Sequence, residues 1–532
     1  LKANTTASNN TAVGYQAGLS TTSSTYQTHI GYQAGRANTT GNLLAIGYQS
    51  GFNATTGTAN TFVGRYRAGY STTTGSKNSA FGDQALYTNT TGGNNVAIGY
   101  ATLYSNTTGP SGTAVGYTAL FANTTGANNV GVGSGALVTN TTGDNNVGLG
   151  ANALSANTTA EANTAVGTNA LITNTTGAYN VAVGMQALNS NTTASDNTAV
   201  GYQALYTNTG GDNTAIGWSA LRSNTTASGG TSVGRKSLYA NTTGDNNVAV
   251  GYQALEDNTT GSANASLGYQ ALANNTTASY NTAVGYQAGY SNTTGSSNIS
   301  IGPFSLYTNT TGSNNVASGY GSLRLNTTGS LNVALGQDAL RFNTTASRNT
   351  AVGYNAGYSN TTGYENVAIG TYVLDANTTG IANTAMGDAA LTANTTASNN
   401  TAVGSESLKY NTTGANNSAL GKTALFSNTT ASNNTAVGMY AGYSNQTGSN
   451  GAYFGYLAGY STAGSSANTF LGAYAGRFAT SNLSTFVGQG AGESVTSGSA
   501  NTILGRYNGN QGGLDIRTSS SNIVLSDGDG NP

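Results

Sequence analysis

Cysteine is absent from this chain of 532 residues, so neither a disulfide framework nor a thiolate metal site is available to it. Only 3 prolines occur against 76 glycines, which fits tight turns between short paired strands and not a disordered proline-rich linker. Charge is scarce too: Asp, Glu, Lys and Arg make up 6% of residues and the net charge is −1, which excludes an electrostatic footprint for nucleic acid or an anionic membrane. No stretch has the length and apolarity of a membrane-spanning helix, and no secretory leader is recognisable. Neither nucleic-acid binding nor membrane insertion is expected. Solubility rests instead on Asn, Thr and Ser.

What the chain has is repetition. A segment of about seventeen residues, NVAVGYQALEDNTTGSA from Asn247 to Ala263, recurs almost from end to end, and such a period is the mark of a solenoid. Its anchor is an aliphatic residue followed by glycine, as in Val13-Gly14, Val115-Gly116, Val250-Gly251, Val352-Gly353 and Leu504-Gly505. A few spacings depart by one residue: Ile30 to Ile46, Val200 to Ile216 and Leu471 to Val487 are short, and Val63 to Phe81 is long. The Val200 deletion falls in the turn Asn208-Thr209-Gly210-Gly211, which lacks one threonine. These features predict an all-β fold, an elongated parallel β-solenoid or β-roll of about thirty 17-residue coils. The repeat array is expected over residues 1–506, entered in mid-repeat at Leu1 as if cut from a longer array, with a non-repetitive connector over 507–532.

Within a coil, Val248 and Val250 alternate with Ala249, and the simplest reading points both valines inward. Gly251 then bends the chain, and Tyr252-Gln253-Ala254-Leu255 runs as a second short strand that carries Leu255 into the core. Asn258-Thr259-Thr260-Gly261 has turn chemistry, with Asn and Gly suited to left-handed backbone. Two valines and a leucine are too little to order seventeen residues, so no coil folds alone and stacking must supply the rest.

The segments Asn197-Thr198-Ala199-Val200-Gly201-Tyr202-Gln203-Ala204-Leu205 and Asn241-Thr242-Thr243-Gly244 resemble the repeats of bacteriophage tail-fibre proteins from aquatic viruses, and the resemblance covers nearly the whole chain. More distantly, the aliphatic-glycine rhythm is similar to the shorter head repeats of trimeric autotransporter adhesins, which are left-handed parallel β-rolls packed as homotrimers. The stretch from Gly505 through Asn531 resembles the connector that precedes further domains in such fibres. The resemblance implies a homotrimeric structural fibre on a virion tail, the shaft or receptor-binding segment that meets a host-surface glycan or protein. A self-assembling extracellular filament or bacterial surface adhesin, glycosylated at its turns, is the alternative.

No catalytic residue, cofactor or metal ligand is expected, and the chain reads as a non-enzyme. His29, the only histidine, stands where Ala precedes an anchor, and a surface substitution is the expected reading. Asp144, Asp196, Asp212 and Asp245 occupy turn positions, although a depolymerase pair assembled between coils stays open. Ser526-Asp527-Gly528-Asp529-Gly530-Asn531 lacks the later glutamate of a calcium loop and reads as a polar turn. The Asn-Thr-Thr motifs at Asn89, Asn106, Asn123, Asn140, Asn157 and Asn174 are formal glycan acceptors, or simply turns with a threonine row. Ice binding by that row is a further possibility. Tyr15, Tyr48, Tyr100, Tyr202, Tyr252, Tyr269 and Tyr286, each following an anchor glycine, form a row that serves as an interchain surface or as a ligand platform. In that row Trp218, Met185 and Met439 keep an apolar body, while Arg65, Asp83 and Asp388 leave the position wet.

Overall fold

A computed structural model describes all residues, Leu1–Pro532. It is all-β without helices, and it divides into two compact units, Leu1–Asn264 and Ala265–Pro532. Each unit is a parallel β-solenoid. The first carries fifteen strands, from Thr11–Val13 to Val248–Val250, and most are three residues long. The second carries fifteen more, from Ala265–Leu267 to Thr502–Leu504. Its connector forms a small antiparallel hairpin, Asn510–Gln511 with Leu514–Asp515, and then a strand, Ile523–Leu525, that lies parallel to Thr502–Leu504. Part of the connector thus adds a rung to the ladder.

Register within each unit follows the repeat. Thr164, Ala165 and Val166 pair with Val181, Ala182 and Val183, and those pair in turn with Thr198, Ala199 and Val200. The bends hydrogen-bond between coils as well, for instance Leu171 N–H to Ala187 O at 3.0 Å. Gly167, at φ +130°, shows why the anchor is followed by glycine: a Cβ there would stand 2.7 Å from the carbonyl of Gly184 in the next coil.

The inward face is the reverse of the expected one. Ala249 is buried, whereas Val248 is 42% exposed and Val250 half-exposed. The middle residue of each strand points inward because the coil is narrow, and one alanine opposite one leucine fills it. Larger middle residues confirm the limit. Where Phe62, Tyr453, Phe470 or Phe486 takes the alanine's place, the leucine is replaced by Gly69, Gly459, Gly476 or Gly492, and a Cβ on any of these glycines would meet the aromatic ring at 2.4–2.6 Å.

Tyr252-Gln253-Ala254-Leu255 is a turn and not a second strand, because Gln253 and Leu255 both adopt left-handed backbone, at φ 53° and 51°. The inward placing of Leu255 holds. The third left-handed position is not in the Asn-Thr-Thr-Gly turn but just before the second asparagine, at Asn246 with φ 57°. The inserted residue of the long repeat is Arg65: Tyr48 pairs with Tyr66, so Tyr66 and not Arg65 takes the tyrosine position.

Candidate functional site

The expected tyrosine row exists, past the glycine bend and partly in water. Tyr15, Tyr48, Tyr100, Tyr269 and Tyr286 are exposed, while Tyr202 and Tyr252 are intermediate. Their rings stack along the coil axis: Tyr15, Tyr32, Tyr48 and Tyr66 follow one another at 5.3, 5.2 and 5.6 Å between centroids. Tyr100 stacks on Tyr117, Tyr202 on Trp218, and Tyr269 on Tyr286. Within such a run each ring face is occupied by its neighbour, and only ring edges and hydroxyls meet solvent. A continuous run therefore offers a ligand no face to stack on.

A second aromatic row was not anticipated. Phe52, Tyr70, Tyr87, Tyr104 and Phe121 stack at 5.0–5.3 Å, and Phe426, Tyr443 and Tyr460 repeat the pattern at 4.9–5.0 Å. Elsewhere a guanidinium enters this row: Arg222 lies over Tyr206 and Tyr239 at 5.3 and 5.7 Å. Between the two rows runs an amide ladder in which Gln33 donates to Gln16, Gln49 to Gln33, and Arg67 to Gln49. The only hint in the sequence is an aromatic residue after the core Leu or Gly in some coils.

The formal glycan acceptors are interior. Asn89, Asn106, Asn123, Asn140, Asn157 and Asn174 are all buried. Asn157 Nδ2 donates to Ala160 O at 3.1 Å and to Asn140 Oδ1 at 2.8 Å, and its own Oδ1 accepts from Asn174 Nδ2 at 3.1 Å. With both amide hydrogens engaged and no space around them, a glycan on these nitrogens is incompatible with the folded coil. A second asparagine ladder bridges turns to strands. Asn163 Nδ2 donates to Gly177 O at 2.9 Å, and Asn163 Oδ1 accepts the Asn180 N–H at 2.9 Å. The first threonine of the motif is likewise spent, since Thr175 Oγ1 donates to Thr192 O at 3.0 Å. Second threonines such as Thr91, Thr108, Thr125 and Thr142 are exposed, whereas first threonines are mostly half-buried, with Thr192, Thr209 and Thr225 among the exposed exceptions. A dense hydroxyl plane of the kind ice binding requires is not formed.

His29 is fully buried, not on the surface. It sits at the inward strand position, its Nε2 2.6 Å from Gln27 Oε1 and its Nδ1 without a hydrogen-bond partner. Burial first, and the Leu1 ammonium second, pull its pKa down to about 4. Gly18 and Gly35 make room for the ring. No group of three or more His, Asp or Glu side chains gathers to hold a metal ion. Asp144 and Asp245 accept backbone N–H groups of the preceding coil, from Ala127 and Ser228. Asp527 accepts from the Asp529 and Asn531 N–H groups, and the bond from Asn531 is the main cause holding its carboxyl below the usual range. It closes a turn.

No protein-family model matches the chain, and no curated protein sequence matches it. No helix is long and apolar enough to cross a membrane.

Proposed function

We propose that this chain is the shaft or receptor-binding segment of a phage tail fibre, a structural protein and adhesin that assembles with copies of itself as a homotrimer and meets a host-surface glycan or protein. The observation that carries the reading is the outward face of the strands. Each three-residue strand turns its first and third residues away from the core, and within each unit the third residues form a largely aliphatic row in water: Ile98 and Ile216 in the first, and Leu267 at 51%, Ile301, Leu420 at 50% and Leu471 in the second. An isolated chain gains nothing from such a row, and a long exposed apolar strip marks an interaction surface. The row has one such side chain per coil, apolar in nearly every coil with Ser318 an exception, so a partner must carry apolar groups at the same rise. A second copy has that rise by construction, and with a net charge of −1 copies do not repel. Three chains, and a place on a virion, come from the resemblance of the repeats alone.

Sedimentation of the purified chain tests the assembly. Copies are expected to associate, and Ile98→Glu with Ile301→Glu is expected to separate them while the β-sheet circular dichroism persists. A wild-type chain that sediments as a monomer overturns self-association. Electron microscopy tests the fibre: particles of one fixed length support it, and polymers of unlimited length favour the self-assembling filament instead.

A further inference from the structure

The tyrosine row is broken at one coil in a way that builds a site. Asp83 stands in the place of a tyrosine, between Tyr66 in the coil before and Tyr100 in the coil after. Beyond the break the rings resume their stacks, Tyr66 on Tyr48 at 5.6 Å and Tyr100 on Tyr117 at 5.4 Å. A cavity of about 430 Å³ lies at the break, lined by Arg65, Tyr66, Asp83, Gln84 and Tyr100. At roughly 4.8 Å per rung the two bounding rings are about 10 Å apart, so one missing ring's thickness separates them.

Another coil shows what such a gap accepts. Arg235 also replaces a tyrosine, and its planar guanidinium lies 5.0 Å from the Trp218 centroid and 5.8 Å from that of Tyr252. There the chain fills its own gap. Asp83 is too short to do so, and it is held down: Oδ2 accepts from Arg65 Nε at 3.0 Å and lies 2.8 Å from Nη2, while Oδ1 accepts the Tyr66 N–H at 3.1 Å. The inserted residue of the chain's one long repeat is this same Arg65, so the bulge supplies the cation at the break.

We propose that this break is a binding slot for a single neutral hexopyranose unit of a glycan. The sugar ring enters between Tyr100 and Tyr66, its C–H faces turned to the two aromatic rings, and at Tyr66 it shares the ring with the Arg67 guanidinium, 4.8 Å from the centroid. Its hydroxyls find acceptors on Asp83 and donors on Arg65 and Gln84, whereas a plain aromatic ring would leave those groups unsatisfied. Because Arg65 and Asp83 neutralise each other, an acidic sugar gains no net attraction. Gly82, at φ +141°, bends the chain between Phe81 on the strand's outward face and Asp83 in the slot. The slot names the ligand class for the attachment reading given above and rests on it only there.

Saturation-transfer NMR on the intact chain, with methyl glycosides of glucose, galactose, mannose and N-acetylglucosamine, tests the slot. Saturation of ring C–H protons by at least one glycoside is expected. Asp83→Tyr restores the row's usual residue and so keeps the coil; it should weaken that binding about tenfold or more, as should Tyr100→Ala. Tyr280→Ala, an exposed tyrosine outside both stacked rows, should leave it unchanged. No binding of any glycoside, undiminished binding by Asp83→Tyr, or tighter binding of phenol than of every glycoside overturns the slot. Sedimentation of the same samples keeps the two proposals apart, since assembled copies without sugar binding remove the slot and leave the fibre.

Discussion

A buried asparagine carries more of this fold than any apolar side chain does, because it bonds within its own coil and to both neighbours. Removing Asn157 leaves the Asn174 amide, the Asn140 oxygen and the Ala160 carbonyl each short of a partner. Asn157→Ala should therefore cost about 2–3 kcal/mol, read as faster amide exchange in the flanking coils. The Val200 repeat shows a natural version: with its turn one residue short, Asn208 bonds Gly210 instead, and Asn191 Oδ1 goes unpaired. His29 gives a prediction in pH. Its folded pKa, near 4, lies below the unfolded value near 6.5, so the unfolded chain binds the extra proton first. Stability of the first coils should thus fall as pH drops from about 6.5 to 4 and level off below that, by up to about 3 kcal/mol. His29→Phe keeps the bulk without the titration and should abolish the effect, measured by acid protease cleavage near the amino terminus. Turn composition announced where the asparagines lie. It could not announce their burial, since each is satisfied by a residue seventeen positions away.

At the scale of the element, strand positions and the glycine bend were readable from the aliphatic-glycine beat, and the direction of the side chains was not. Hydrophobicity ranks valine above alanine and so points Val248 inward; coil width decides otherwise. The usable clue was internal, in segments such as Thr485-Phe486-Val487-Gly488-Gln489-Gly490-Ala491-Gly492, where a bulky middle residue comes with a glycine six positions on. Phe486→Ala alone should cost about 3–5 kcal/mol. Gly492→Leu alone should clash with the ring, whereas the double variant recreates the common Ala–Leu pair and should recover at least about 1 kcal/mol, measured as a non-additive shift in a double-mutant cycle. Gly357 is the reverse case. It stands across from Ala351, not an aromatic ring; a Cβ there would lie 3.0 Å from Leu340 Cδ2, a side-chain end that must shift slightly, and a small void lies beside Leu340 and Leu374. Gly357→Leu, at a φ of +60° that the other leucines of this column already adopt, should raise the melting temperature, with a gain of roughly 1 kcal/mol. The second aromatic row escaped the sequence because it is intermittent, running from Phe52 to Phe121 and then giving way to Val138 and Ser155.

Over the whole molecule, cohesion comes from amides, hydroxyls and stacked rings, and ion pairs are marginal. Arg65–Asp83, Arg348–Glu365 and Arg517–Asp515 each have a largely or partly exposed cation, and such pairs contribute little. The thermal midpoint should accordingly move by no more than about 3 °C between low salt and roughly 1 M sodium chloride, a flat response that calorimetry can check. A steep rise or fall would mean that charge matters more than composition implies. The in-register pairing of equivalent residues has a further consequence, at the level of the gene. Because neighbouring coils meet through the same bonds, one whole coil can be lost or duplicated without disturbing those on either side. Recombination between near-identical stretches of seventeen codons would then yield proteins of different reach that still fold, which gives a lineage a way to adjust length while leaving the chemistry of each rung untouched.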